Sequence, residues 1–285
     1  MPKGKRPMTT FPIAKRKMTE RVRKREEEVE ATGSGMRDEP AWGRALQPDF
    51  SSDEDEVDNP LLYSYFRSSC AWRVRIALNL KGIEYDQAPV HLIKDGGQQN
   101  SEEYKQKNPM AQVPTLIIDG HKLTQSMAIL EYLEETRPDP PLLPKDPATR
   151  AKVRMIAETV NAGIQPIQNL SVLQKVGDEK KMEWGHYWID RGFTALETVL
   201  GETAGKYCVG DQVTMADLCL VPQLYNATST CIWKKGYLIF IHSRFKVDLS
   251  KFPAITRVCG NLAELEAFKA ADYSRQPDTP EDLKA

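Results

Sequence analysis

Apolar and polar positions follow different rhythms along the chain, and each rhythm marks a region. From Leu61 a short apolar run passes through small hydroxyl residues straight into an amphipathic stretch, the pattern of a strand turning directly into a helix. Further patterns follow up to Arg137, in the order strand, helix, strand, helix, strand, strand, helix. Pro138, Pro140, Pro141, Pro144 and Pro147 then form a stiff connector that no helix crosses, because proline lacks the N–H and clashes with the preceding turn. Beyond it the spacing is helical: a long segment from about Ala148 to Val176, a second from about Lys180 to Gly201, and a third opened by Thr214. The chain thus divides into an α/β region at 61–137, a linker at 138–147 and an all-helical region at 148–285.

Residues 1–60 have no such periodicity. They are basic to Arg25, with clusters at Lys15-Arg16-Lys17 and Arg21 to Arg25, and acidic from Glu26 to Asp58, including Asp53-Glu54-Asp55-Glu56. Too few apolar residues interrupt these blocks to offset the entropy of ordering, so a disordered arm is expected, with a nascent helix around Met18 to Val29. The basic clusters resemble a nuclear address, although such a run is more often a solvated tail. The arm lacks the apolar core of a secretory signal, and its early acidic residues weaken a mitochondrial reading.

Composition narrows the function classes. A net charge of −1 over the whole chain leaves no global basic field to recruit nucleic acid. Five cysteines, an odd number without metal-ligand spacing, argue for a reducing compartment, and no metal site is expected. No apolar run is long enough to cross a bilayer, so no membrane partner is expected. His91, His121, His186 and His242 show no ligand spacing and receive no role. The chain reads as cytoplasmic, with a mitochondrial location left open.

Chemistry concentrates where strands meet helices. The turn Ser68-Ser69-Cys70 leaves hydroxyls and unpaired N–H groups at a helix N-terminus, where the dipole favours an anion. The anion expected there is a thiolate, that of glutathione. The bland alternative is that Ser68 or Ser69 merely caps the helix. The element order is thioredoxin-like, in which the residue before a cis proline offers its backbone to an extended peptide, and Val113-Pro114 fits. The plain alternative is a trans proline opening a strand. Gln125 and Ser126 precede another helix and can receive a carboxylate at its positive end. Thr214 to Asp217 reads as a capping box, with Val213 and Leu218 as a hydrophobic staple, and is structural rather than catalytic.

Several motifs in order resemble the zeta-class glutathione transferases, the family also known as maleylacetoacetate isomerases, from about Leu61 to Ala285. They are Ser68-Ser69-Cys70-Ala71-Trp72-Arg73, Asn108-Pro109-Met110-Ala111-Gln112-Val113-Pro114-Thr115-Leu116, Gln125-Ser126, the stretch Glu131 to Pro138, Gly163-Ile164-Gln165-Pro166, Gln168 to Leu173, and Tyr207 to Gln223. The resemblance implies a thioredoxin-like α/β domain followed by an all-α C-terminal domain, in a homodimer. It implies Ser68, Ser69 and Cys70 as catalytic residues and glutathione as cofactor. Ser68, Ser69, Cys70, Ala71, Trp72, Arg73, Gln99, Val113, Gln125, Ser126, Gln165, Asn169, Leu170 and Ser171 are its implied contacts. A dicarboxylic keto-acid is the implied substrate, with Arg67, Arg73 and Arg244 as cationic partners for its charge.

The chemistry implied is addition of the thiolate to the cis double bond of maleylacetoacetate, rotation about the resulting single bond and expulsion of the thiolate, in tyrosine and phenylalanine breakdown. A related activity toward α-halo acids uses the same thiolate. The chain departs from the family pattern by an insertion at 228–243, whose run Tyr237-Leu238-Ile239-Phe240-Ile241 is uncharged and β-prone. A packed excursion, a mobile loop and a segment of an alternative gene product compete, and the abrupt boundaries favour the last. An inactive isoform or a non-catalytic binding module is therefore the alternative function. A glutaredoxin-like reading is disfavoured, because Ser68 and Ala71 stand where that chemistry needs cysteines.

Overall fold

A computed structural model describes residues 59–228, 231–234, 237–240 and 245–285; the charged arm, its expected helix and Arg244 lie outside them. The elements are β1 (Leu61–Ser64), α1 (Ser69–Leu80), β2 (Asp86–Pro89), α2 (Glu102–Lys107), β3 (Thr115–Ile118), β4 (His121–Thr124) and α3 (Ser126–Thr136). The helical region supplies α4 (Pro147–Gly163), α5 (Leu170–Val176), α6 (Lys181–Thr203), α7 (Met215–Thr228), α8 (Pro253–Ala263) and α9 (Glu266–Ala271). The first sheet runs β2-β1-β3-β4, with β1 parallel to β2 and antiparallel pairs elsewhere. Every residue of β1 is buried, as a central strand covered on both faces requires.

Helix α1 packs against α3, α7 and α9. Ala71 to Leu78 are all buried, so it has no solvent face to read as a stripe. The helical segment expected from Ala148 to Val176 is instead two helices. Helix α4 ends at Gly163, Pro166 opens a short 3-10 turn, and Asn169 accepts a hydrogen bond from the Leu170 N–H to start α5. In the insertion, β5 (Cys231–Lys234) and β6 (Tyr237–Phe240) pair antiparallel. It leaves from buried Asn226 and Ala227 and returns to buried Phe245, whose carbonyl lies 2.8 Å from His186 Nδ1.

The proline connector is clasped by a buried ion pair. Lys81 Nζ donates to Glu134 Oε2 at 2.9 Å and to the carbonyls of Arg137 and Pro140, while Glu134 accepts from the Leu142 and Leu143 N–H groups. The Lys81 side chain is fully enclosed. Lys81→Met removes three charge-assisted bonds at once, and the expected result is a stability loss of about 2 kcal/mol, read as a lower urea midpoint at unchanged slope.

Candidate active site

Ser68 is extended (φ −71°, ψ 113°), and its Oγ accepts from the Ala71 N–H at 3.2 Å, capping α1. The first bond within the helix joins the Trp72 N–H to the Ser68 carbonyl, so the N–H groups of Ser69 and Cys70 have no intrahelical acceptor. A hydroxyl that accepts still has its own proton to donate, so capping and anion binding are compatible at Ser68. Cys70 is half-buried and Ser69 buried.

The turn is braced from behind. Arg75 is fully buried and donates to Ser64 Oγ and to the carbonyls of Tyr65, Phe66 and Ala271. Burial pulls its guanidinium down to about 10, so it stays charged at neutral pH. The Phe66 N–H donates to Asp278 Oδ2 at 2.9 Å, so the C-terminal segment reaches back across the chain to hold the residue two before Ser68.

In front of Ser68 lies an open cleft lined by Tyr65, Arg67, Ser68, Ser69, Leu92, Ile93, Gln165, Gln168, Asn169, Leu170 and Asn226. The structure therefore brings together six of the residues expected from sequence: Arg67, Ser68, Ser69, Gln165, Asn169 and Leu170. Tyr65, Leu92, Ile93, Gln168 and Asn226 had not been foreseen there. Gln168 and Asn226 are buried at the cleft wall, a placement set by tertiary contacts that no local sequence signal marks. Burial pushes the Tyr65 hydroxyl up and the Tyr225 hydroxyl, beside Arg67, up to about 12, so both are protonated at neutral pH and neither serves as a base.

The other expected contacts surround the cleft or fall elsewhere. The Val113-Pro114 bond is cis and the sheet ladder begins at Thr115, two residues on. Gln125 has a left-handed φ of 67° and leaves α3 without a side-chain cap. Gln99 Nε2 donates to the Leu92 carbonyl, and its buried Oε1 has no partner among the described residues. Ala71 and Trp72 are enclosed in α1, and Trp72 packs edge-on to Tyr225. Ser171 is exposed on α5. Arg73 departs from the expectation of a substrate-facing cation: it is fully enclosed, and its Nη1 donates to Ser126 Oγ at 3.1 Å and to Asn161 Oδ1 at 2.8 Å.

The capping box is present in altered form. Asp217 accepts from the Thr214 N–H and hydroxyl, and also from the Cys208 N–H. Among the described residues no group of three or more His, Cys, Asp or Glu side chains is arranged to hold a metal, and no helix is long and apolar enough to cross a membrane.

Residues 61–135 match the family described as "Glutathione S-transferase, N-terminal domain". The chain is similar to the maleylacetoacetate isomerase of Mus musculus, 56% identical over 229 residues, spanning 80% of this chain and 99% of the mouse protein. It is similar to the crystal structure of maleylacetoacetate isomerase from Anaeromyxobacter dehalogenans 2CP-1 with GSH bound in the active site. That match has a TM-score of 0.67 at 45% identity, over 78% of this chain and 98% of that one. It is also similar to the holo structure of a maleyl pyruvate isomerase, a bacterial glutathione S-transferase in the zeta class. There the TM-score is 0.69 at 38% identity, over 77% of this chain and 100% of that one.

Proposed function

The chain belongs to the zeta-class glutathione transferases, the maleylacetoacetate isomerase family, and from that premise we propose that it is a glutathione-dependent cis–trans isomerase of maleylacetoacetate. The observation that carries the reading is the Ser68-capped N-terminus of α1 opening on the cleft. The residues present fit glutathione: two helix starts offer N–H groups without intrahelical acceptors, and among the described residues the buried Gln99 Oε1 has no partner. When bound, glutathione supplies a thiolate that adds reversibly to the cis double bond and is regenerated as the trans isomer leaves.

The chain's own residues account for the rest. The Ser68 hydroxyl, with the Ser69 and Cys70 N–H groups, holds negative charge at the positive end of α1 and favours the ionised thiol. Val113 offers main chain to the peptide, while Gln125 and Ser126 take its carboxylate at the start of α3. Arg67 is the cleft cation that faces the developing enolate and the carboxylates of a dicarboxylic keto-acid. A place in tyrosine and phenylalanine breakdown and activity toward small α-halo acids extend the same reading, as does a homodimer.

The packing of both flanks of the insertion, with Asn226 just before it lining the cleft, supports reading the insertion as compatible with activity. Deleting residues 229–243 is expected to change kcat/KM for maleylacetone, a stable substrate analogue, by less than about tenfold, a span worth about 1.4 kcal/mol. Activity found only after the deletion would show that the insertion inactivates this chain.

A further inference from the structure

Arg73 is a buried charge that the isomerisation does not use directly. Its guanidinium side chain is fully enclosed, yet among the described residues it pairs with no carboxylate. Among the described residues only Nη1 is bonded, to Ser126 and Asn161, while Nε and Nη2 find no partner there. The carboxylate nearest along this network is Glu158, which meets Asn161 Nδ2 at 3.4 Å and is itself exposed. An enclosed cation without an anion is costly, so its retention asks for an anion supplied from outside.

The geometry shows where that anion would sit. Ser126 opens α3, and the first bond of that helix joins the Ile129 N–H to the Gln125 carbonyl, leaving the N–H groups of Ser126, Met127 and Ala128 without intrahelical acceptors. The Ser126 Oγ accepts from Arg73, which leaves its O–H free to donate and polarises it toward an anion. Asn161 fixes the guanidinium from α4, so one side chain ties α1, α3 and α4 around this point.

We propose that Arg73 is the counter-charge for the γ-glutamyl α-carboxylate of glutathione, acting through Ser126 rather than by contact. This rests on the glutathione reading of the cleft. Arg73 is thus a positioning residue that sets affinity for the carboxylate end of the ligand and leaves the thiol end untouched.

The test titrates the full chain with glutathione and with 4-aminobutyryl-Cys-Gly, which lacks only that carboxylate. The parent chain is expected to prefer glutathione by about 100-fold, the scale of a lost charge-assisted contact. Arg73→Gln is expected to weaken glutathione binding about 30-fold and to leave the analogue within about twofold, collapsing the preference. Arg73→Lys, which keeps the charge, is expected to restore part of it. Equal weakening of both ligands by Arg73→Gln would overturn the proposal in favour of a purely structural role. Should Arg73→Gln fail to fold, Arg73→Lys and Ser126→Ala decide: an undiminished preference in Ser126→Ala overturns the proposal. A parent chain that binds neither peptide would overturn the glutathione reading itself.

Discussion

Replacing Ser68 by alanine is expected to lower kcat/KM for glutathione-dependent isomerisation of maleylacetone by about 10²–10³-fold, the loss seen when one preorganised donor to a developing anion is removed. The same change removes the cap on α1, since Ser68 Oγ accepts from the Ala71 N–H, and costs about 1 kcal/mol of stability. The two effects separate by measurement. Rates are taken well below the melting transition, and the absorbance of the bound thiolate is followed with pH. In the alanine chain the bound thiol should ionise at higher pH while the KM for glutathione moves little, because Val113, Gln125 and Ser126 hold the peptide and its carboxylate independently of the Ser68 hydroxyl. An alanine chain with unchanged thiol ionisation and rate would reduce Ser68 to a cap.

The largest stability effect is expected at Asp217. Its side chain is fully buried and accepts from the Cys208 N–H at 2.9 Å, the Thr214 N–H at 2.8 Å and the Thr214 hydroxyl at 3.1 Å. Asp217→Ala strands two buried N–H groups and leaves a cavity, for a loss of about 3–5 kcal/mol by urea denaturation. Asp217→Asn keeps an acceptor and should cost less. Burial pushes the Asp217 carboxyl up, outweighing the hydrogen bonds that pull it down. Because its folded value lies above the unfolded one of about 3.9, folding takes up a proton between the two. Its contribution is fully present below the unfolded value and is lost as pH rises through the folded one. The parent chain should therefore lose stability relative to Asp217→Asn over that window as pH rises; the opposite slope would contradict the assignment.

Much of the architecture was legible because local chemistry and element order agree. The turn at Ser68 and the Gln125-Ser126 helix start follow from capping rules, while the cis Val113-Pro114 bond follows from the thioredoxin-like element order, since proline alone leaves a trans bond open; the structure places each at the end of the expected element. The break between α4 and α5 was also encoded, in Gly163 and Pro166, but apolar periodicity carried across it and masked it. That Arg73 is enclosed rather than facing the cleft was not legible, for a deeper reason. Helix α1 is buried all round, so no polar face marks which side chains look into the cleft. The roles of Asp278 behind Phe66 and of Asn226 at the cleft wall depend on contacts between residues far apart in sequence, which no local pattern records.

The most direct test supplies maleylacetone in large excess over glutathione and follows both the trans product and free thiol. An isomerase that regenerates its thiol gives many turnovers of trans product per glutathione with the thiol undiminished, and this is the predicted result. Consumption of one thiol per substrate, or no glutathione-dependent isomerisation in the full chain, would contradict it.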